Sequence, residues 1–205
     1  MVITICREYG SGGKYIGERL AQELNMKLYD KEILSRVSEE SGIDLNILEQ
    51  VDEKQEQSFW YTFATSLYET ADSIDPMNQK LPSNEKLFIE QARVIENLAD
   101  KEDCIIIGRC SNIILKNKPN VFNIFIYSSN LEFKIQRKIK YSNIKDRNEV
   151  EELINKTDLE REKYYNYFTG KKWGDREDYD IMIDTSKIGI DNTVELIKTY
   201  LNLKK

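Results

Sequence analysis

The amino-acid sequence predicts an α/β fold with three layers, α/β/α, around a parallel sheet of about five strands. Short runs rich in β-branched residues alternate along the chain with amphipathic segments of helical period. Two of these runs, Cys104–Ile107 and Val121–Tyr127, are almost continuously apolar, as is typical of strands buried on both faces of a parallel sheet. A group of glycines at residues 10–13 follows the first run directly and indicates a strand, loop and helix in succession.

The predicted elements alternate over the whole chain. Strands are expected at residues 2–6, 26–29, 104–107, 121–127 and 179–183. Helices are expected from near residue 14, from a cap at Asp30 to residue 41, and at residues 83–99, 131–141, 147–168 and 192–203. Residues 44–57 and 59–70 are helix-like, and residues 71–81 are expected to form a mobile connection. Because parallel α/β sheets bind ligands at the carboxyl ends of their strands, we expect the site there.

The composition is that of a soluble protein with one domain. Of the 205 residues 40% are hydrophobic and 32% are charged, and no apolar run approaches the roughly 20 residues of a membrane helix. The amino terminus lacks the basic start and long apolar centre of a signal peptide. Three cysteines without CxxC spacing suggest neither a disulfide framework nor a thiolate zinc site. We therefore expect a cytoplasmic protein that does not bind membranes.

The chain contains no histidine, which restricts its chemistry. Ser-His and Cys-His nucleophiles, histidine metal sites and an imidazole base are excluded, so acid, base and charge functions fall to Asp, Glu, Lys and Arg. The formal net charge of -6 argues against general affinity for nucleic acid. We therefore expect a small-molecule partner.

The sharpest local signal is the glycine-rich loop. Gly10, Gly12 and Gly13 can adopt positive φ angles and expose consecutive N–H groups, and the next helix adds the positive end of its dipole. The loop is either an anion-binding site or a tight turn without a ligand. Its position after the first strand favours the anion-binding site.

This loop departs from the phosphate-loop pattern GxxxxGK[ST]. Glu8 stands in place of the first glycine, and Tyr15 stands in place of the hydroxyl residue that normally holds Mg²⁺. Lys14 is therefore either a displaced phosphate-binding lysine or a solvated residue of the first helical turn.

Several cations follow predicted strands or lie on charged helices. Arg109 follows a strand and a glycine, from which a guanidinium can reach a phosphate at the strand ends. Arg36 carries less weight, as one of many charges on a helix. Residues 137–175 are rich in Arg and Lys, interleaved with acids. They are either solvated helix faces or a lid that closes over transferring phosphate.

Taken together, these segments resemble the cytidylate kinase-like family, a branch of the nucleoside monophosphate kinases with a P-loop NTPase-like fold. The resemblance runs nearly from end to end. It rests on REYGSGG at 7–13 with IG at 16–17, YDKE at 29–32, IIGR at 106–109, YFTG at 167–170 with WGD at 173–175, and YD at 179–180 with DTS at 184–186.

The resemblance implies roles for individual residues. ATP, the phosphate donor, would contact Gly10, Ser11, Gly12, Gly13, Lys14, Tyr15, Asp184, Thr185 and Ser186. The catalytic residues would be Lys14, Arg137 and Arg161, and the acceptor would contact Asp30, Arg36, Arg109 and Asp158. Mg²⁺ is implied with ATP, but no protein ligand is assigned. Against the loop GPSGSGKGT of cytidylate kinases, the lysine falls on Gly13 and the threonine on Tyr15, while Ile107 and Cys110 stand where those enzymes carry acids.

The same resemblance implies the organisation of residues 1–205 as a single kinase-like domain. Its core would comprise residues 1–36, 83–136 and 178–205. A helical monophosphate-binding region would span about 37–82, and a helical lid would span about 137–177.

Three functional hypotheses follow. The first is ATP-dependent phosphoryl transfer to a nucleoside monophosphate, with CMP or dCMP as the acceptor that the resemblance indicates. The second is a non-catalytic nucleotide-binding module, because the lysine is shifted and the hydroxyl is missing. The third is a kinase for another small-molecule acceptor. All three make nucleotides the partners, and the sequence predicts no oligomeric state.

Overall fold

In the computed structural model, which describes residues 1–41 and 84–203, five strands form one parallel sheet. They are β1 (Val2–Arg7), β2 (Lys27–Tyr29), β3 (Cys104–Ile107), β4 (Val121–Tyr127) and β5 (Ile181–Asp184). Their order is β2-β3-β1-β4-β5, and every neighbouring pair is parallel. The predicted α/β fold is therefore confirmed, and the carboxyl ends of these strands lie along one edge of the sheet.

Helices follow the strands within the described residues. They are α1 (Gly13–Leu24), α2 (Glu32–Ser41), α3 (Asn84–Lys101), α4 (Ser111–Ile114), α5 (Leu131–Tyr141), α6 (Arg147–Thr169), α7 (Thr185–Ile188) and α8 (Ile190–Leu203), with a 3₁₀ turn at Arg176–Asp178. Over these same residues, no helix has both the length and the apolar character that crossing a membrane requires.

The chain divides into two compact units. The first consists of Met1–Asp30 and Ile95–Lys205 and contains the sheet, and the second is Lys31–Val94. Within the second unit, α2 buries Ile33 and Val37. The predicted segments at 44–57, 59–70 and 71–81 lie outside the described residues. The division into core, monophosphate-binding region and lid stays a prediction.

The central strand of the sheet is β1, which pairs with β3 on one side and β4 on the other. Ile3 and Ile5 of this strand are fully buried and belong to one hydrophobic cluster with side chains of α1 and α8. Gly17 of α1 allows close approach to the sheet, since a Cβ there would lie 2.8 Å from Cδ1 of Ile107. This packing fixes α1 and therefore the loop that precedes it.

Two predicted boundaries were wrong by two residues. The last strand begins at Ile181 rather than residue 179, because Tyr179 follows the 3₁₀ turn and packs its ring 5.0 Å from that of Phe125. Asp184 consequently belongs to β5 rather than to the loop after it. The last helix begins at Ile190 rather than residue 192.

Candidate phosphate-binding site

The glycine loop connects β1 to α1 at the carboxyl edge of the sheet. Gly10 and Gly12 adopt φ angles of 80° and 91°, which favour glycine. Gly13 is instead the first residue of α1 and is not among the positive-φ glycines, so the expectation of a left-handed Gly13 was wrong. It is required for a different reason, because a Cβ there would lie 2.5 Å from the Cβ of Arg7.

The loop backbone is braced from within the fold. Ser11 is fully buried, and its hydroxyl donates to the carbonyl of Glu8 at 2.8 Å. The buried hydroxyl of Thr185 lies 2.8 Å from the carbonyl oxygen of Ser11 and 3.1 Å from that of Tyr127. The loop is therefore fixed in front of the first turn of α1, whose exposed N–H groups and positive dipole end favour an anion.

Three ionisable side chains meet beneath the loop. Nζ of Lys134 lies 3.1 Å from Oε2 of Glu8 and 3.1 Å from Oδ2 of Asp158. Oδ1 of Asp158 accepts the N–H of Tyr9 at 2.6 Å, and Oε2 of Glu8 accepts that of Ser128 at 3.1 Å. Burial raises the pKa of Asp158, while Tyr9 and Lys134 favour its ionised form. Asp158, which the sequence predicted at the acceptor, lies under the loop in this structure.

Two loop glycines lie directly against α5. A Cβ on Gly10 would lie 2.9 Å from Cβ and 3.2 Å from the carbonyl oxygen of Lys134. A Cβ on Gly12 would lie 3.3 Å from both Cζ and Nε of Arg137 and 2.5 Å from Cδ1 of Ile190. The predicted catalytic Arg137 is therefore brought to the residue that precedes α1.

The guanidinium of Arg137 is held by aromatic rings. Its Cζ lies 5.9 Å from the ring centroid of Tyr15 and 5.2 Å from that of Tyr141. Within the described residues it forms no ion pair with a carboxylate. Cation–π contacts orient a guanidinium without neutralising it, so its charge remains available to an anion.

Arg161 reaches the other side of the loop from α6. Its Nη1 donates to the carbonyl of Arg7 at 3.2 Å and lies 3.6 Å from Oδ1 of Asp158. The ring of Tyr9 lies under two cations, with Cζ of Arg161 at 5.4 Å and Nζ of Lys138 at 4.2 Å from the centroid. The two predicted catalytic arginines thus both contact the loop or its flanks.

Lys14 extends towards the end of β2. Its Nζ lies 3.1 Å from Oδ2 of Asp30, and Nη2 of Arg7 lies 3.8 Å from Oδ1 of the same carboxylate. The guanidinium of Arg7 also packs against Gly108, where a Cβ would collide with Nη1. Asp30, which follows β2, and the cations Arg7 and Lys14 therefore lie together at the carboxyl edge of the sheet.

The turn after β3 carries Arg109. Gly108, Arg109 and Cys110 adopt successive φ angles of 72°, 55° and 54°. Two consecutive left-handed residues other than glycine are unusual, and such strain is concentrated at functional sites. Arg36 lies half-buried on α2 in the second unit. The acceptor-binding roles of both arginines stay predictions.

Asp184 organises the turn after β5. Its carboxylate accepts the N–H of Ser129 at 3.2 Å and that of Ser186 at 3.0 Å, together with both hydroxyl groups. Burial alone would raise the pKa of Asp184, but the hydrogen bonds from the two serines outweigh it and lower the pKa. Its role beneath the donor base stays a prediction, as does that of Ser186.

The residues around the loop do not fit a protein-held Mg²⁺. At the position of the metal-binding hydroxyl stands Tyr15, a phenol that contacts Arg137. Glu8, Asp30 and Asp158 each lie in an ion pair with a cation. The described residues contain no group of three or more potential metal-binding side chains. As far as the described residues are concerned, any Mg²⁺ that accompanies ATP would therefore depend on phosphate and water oxygens.

A buried polar chain supports β1 below the loop. Sγ of Cys6 lies 3.6 Å from Oδ1 of Asn112, whose Nδ2 donates to the hydroxyl of Tyr165 at 3.0 Å. That hydroxyl donates to Oδ2 of Asp178 at 3.2 Å. Burial raises the pKa of Cys6, so this thiol is neutral and serves the packing rather than nucleophilic chemistry.

Sequence reasoning missed two basic residues of the site, Arg7 and Lys134. Arg7 ends β1, so the strand-end argument that selected Arg109 applies to it as well. Lys134 precedes Arg137 by three residues and Lys138 by four, a spacing that places all three on one helix face. This shared helix face is the sequence signal that could have identified Lys134.

Comparison with known proteins agrees with the fold. A model of the cytidylate kinase-like family matches residues 2–187. No curated protein matches the sequence. An uncharacterized protein from Eubacterium ventriosum ATCC 27560, known from a crystal structure, is 26% identical over 98% of each chain, with a TM-score of 0.72.

Two enzymes of lower identity share the fold. A shikimate kinase from Bacteroides thetaiotaomicron is 11% identical over 98% of each chain, with a TM-score of 0.56. A deoxyadenosine kinase from M. mycoides, solved with bound dATP, is 15% identical over 98% of this chain and 100% of its own, with a TM-score of 0.50. At these identities the likeness concerns the fold alone.

Proposed function

The chain belongs to the cytidylate kinase-like family, and we propose that it transfers the γ-phosphate of ATP to a nucleoside monophosphate. CMP and dCMP are the acceptors that the family resemblance favours. The family relationship supports a nucleotide or small-molecule kinase in general. The choice of a monophosphate acceptor is the finer part of the proposal.

The observation that carries the proposal is the position of Arg137 against Gly12. The guanidinium lies beside the residue that caps α1, and no carboxylate among the described residues neutralises it. Phosphoryl transfer requires cations where negative charge is spread over the transferring group. The N–H groups of the loop offer a backbone anion site, and the adjacent arginine, which no described carboxylate neutralises, supplies the cation.

The proposed mechanism needs little covalent chemistry from the protein. An oxygen of the acceptor phosphate attacks the γ-phosphorus of ATP, the bond to the β–γ bridging oxygen breaks, and ADP leaves. The acceptor is already an anionic nucleophile, so no dedicated base is required, in keeping with a chain without histidine. Residues 10–14 would hold the donor phosphates, while Arg137 and Arg161 would stabilise the transferring group.

The proposed acceptor site lies at the ends of β2 and β3. Asp30 and Arg109, which follow these two strands, would contact the acceptor. A purified-protein assay with ATP, Mg²⁺ and a panel of nucleoside monophosphates tests this directly, with product detected by mass spectrometry. CMP and dCMP should give the fastest turnover. Binding of ATP without turnover of any acceptor would refute the kinase proposal.

The role of Arg137 can be tested with a matched control. Arg137→Gln should lower kcat by about a thousandfold, because loss of an arginine that stabilises the transferring phosphoryl group has effects of that order. Arg147→Gln removes an exposed arginine from the start of α6, where it pairs with Glu132 and Glu151. That control should keep kcat within about twofold, since surface ion pairs contribute little.

A second candidate is a nucleotide-binding protein without catalysis. The observation in its favour is the 3.1 Å ion pair that directs Lys14 to Asp30. In this candidate Lys14 stays paired with Asp30 instead of contacting a phosphate. Calorimetry would distinguish this function by tight ATP binding that is independent of Mg²⁺, together with absent turnover.

A third candidate keeps the kinase chemistry and changes the acceptor. The shikimate kinase and the deoxyadenosine kinase that share the fold act on other small molecules, as their names state. The acceptor panel should therefore include shikimate and deoxynucleosides. Preferential turnover of one of these hydroxyl acceptors would replace the monophosphate proposal.

A further inference from the structure

The glycine loop rests on an ionic network that joins three parts of the chain. Glu8 belongs to the loop, Lys134 to α5 and Asp158 to α6. Their side chains are only 25%, 10% and 17% exposed. Charges this far from solvent must be paired, and here one ammonium lies between two carboxylates.

Asp158 is engaged through both of its oxygens. Oδ2 contacts the ammonium of Lys134 at 3.1 Å, and Oδ1 accepts the backbone N–H of Tyr9 at 2.6 Å. Tyr9 immediately precedes Gly10, the first left-handed residue of the loop. The carboxylate therefore fixes the direction of the peptide from which the loop turns.

The network also explains why a glutamate occurs at position 8. The phosphate-loop pattern has glycine there, and Glu8 introduces a carboxylate under the loop. Oε2 of this carboxylate accepts hydrogen bonds from the ammonium of Lys134 and from the N–H of Ser128, each at 3.1 Å. The first loop residue is thereby tied to α5 and to the end of β4.

We propose that Asp158 and Lys134 are positioning residues, which hold the loop from Glu8 to Gly10 in its anion-binding geometry without touching the nucleotide. The inference rests on the proposed function insofar as the anion is a nucleotide phosphate. It assigns Asp158 to the loop backbone rather than to the bound acceptor. Because its members lie on α5 and α6, the network also links the loop to the helices that carry Arg137 and Arg161.

Two substitutions of Asp158 separate the hydrogen bond from the charge. Asp158→Ala and Asp158→Asn remove the same negative charge, but the asparagine can still accept the N–H of Tyr9. A difference between them therefore reflects the retained side chain and its acceptor rather than the charge. We expect the dissociation constant for ATP to rise at least about tenfold in the alanine variant, equivalent to about 1.4 kcal/mol. In the asparagine variant it should stay within about threefold.

Asp146→Ala provides the matched control. Asp146 caps α6, and its carboxylate accepts the N–H of Glu149 at 2.9 Å. The control thus removes the same kind of hydrogen bond from the same helix, away from the loop. It should lower the melting temperature and leave ATP affinity unchanged. Amide hydrogen exchange at Tyr9 should accelerate in Asp158→Ala and remain as in the wild type in Asp146→Ala.

A double variant, Glu8→Gln with Lys134→Met, covers the case in which Asp158→Ala does not fold. It removes the ammonium together with one carboxylate that it balances. We expect ATP affinity to fall about three- to tenfold, with faster exchange at Tyr9. Unchanged affinity in this variant would overturn the inference.

Two further results would also overturn it. One is equal loss of affinity in Asp158→Asn and Asp158→Ala, with Tyr9 exchange as in the wild type, because a carboxylate that touches the ligand loses its contact in both. The other is unchanged affinity in a folded Asp158→Ala. If the wild type binds neither ATP nor tripolyphosphate, the proposed function fails and this inference fails with it. If the wild type binds either of them, an overturning result in the variants counts against the network alone.

Discussion

Gly10 lies where the glycine loop touches α5, and its replacement by alanine tests that contact. The residue has a φ angle of +80°, and an added Cβ would meet Cβ, the carbonyl oxygen and Cα of Lys134 at 2.9, 3.2 and 3.3 Å. These atoms belong to the backbone of α5 or to the first atom of a side chain. They cannot rotate away, so either the loop or the helix must shift.

The expected loss of stability has two sources. A left-handed alanine costs about 1–2 kcal/mol relative to glycine, and forcing a methyl group into a packed contact costs about 1–3 kcal/mol. Gly10→Ala should therefore lower the free energy of unfolding by about 2–5 kcal/mol. Gly170→Ala is the matched control, since Gly170 has a φ angle of +66° and, apart from its chain neighbours, no atom of the described residues lies within 4 Å of its Cβ position. The loss of stability in Gly170→Ala should be limited to the cost of a left-handed alanine, about 1–2 kcal/mol.

Urea unfolding of both variants separates the two contributions, and thermal unfolding provides a second measurement. At about 2–4 °C for each kcal/mol in a protein of this size, Gly10→Ala should melt several degrees below Gly170→Ala. ATP affinity should fall in Gly10→Ala and remain unchanged in Gly170→Ala. If the two variants agree within about 0.5 kcal/mol, the close approach between the loop and α5 is refuted.

Three further predictions concern single side chains. Tyr15→Leu should lower kcat several-fold by releasing Arg137, whereas Tyr15→Phe keeps the ring and should retain kcat. Equal values of kcat in the leucine and phenylalanine variants would contradict the cation–π role. Burial raises the pKa of Cys104 to about 11, so at about pH 8 the native protein should react slowly with a thiol reagent and the denatured protein should react fast. The contribution of the protonated Cys104 thiol to stability is complete below pH 9.0 and is lost as the pH rises through the folded pKa. Hydrogen bonds from Lys198 and Arg19 lower the pKa of Glu23, so the contribution of its carboxylate to stability is present above pH 4.5 and is lost as the pH falls through the folded pKa. In urea unfolding at a series of pH values, Glu23→Gln should reduce this loss of stability at acid pH.

The sheet was predictable because its signals are local. Cys104–Ile107 and Val121–Tyr127 are observed with the predicted bounds, since a continuous apolar run needs no tertiary information to identify a buried strand. The start of β5 was not predictable in the same way. Tyr179 has strong strand propensity, but its ring packs on Phe125 after a 3₁₀ turn, and that contact spans distant parts of the chain.

The positions of Gly10, Gly12 and Arg137 in the candidate site were predictable, whereas Arg7 and Lys134 were missed. Arg137 could be selected from its cationic segment and from the family resemblance, and the structure brings it to Gly12. Lys134 belongs to the same charged helix, where the ordinary expectation is a solvated lysine. Its partners Glu8 and Asp158 lie 126 and 24 residues away in the chain, so only the tertiary structure identifies it as buried.

The central position of β1 has a consequence for synthesis of the protein. This strand is the first of those described to leave the ribosome, yet its partners in β3 and β4 lie about a hundred residues further along the chain. At about 5–20 residues per second, on the order of 10 s pass before Lys134 is made. During that time an apolar strand has unpaired edges and is open to misassociation. The loop directly follows β1, but the network that braces it forms only after Lys134 and Asp158 have been made.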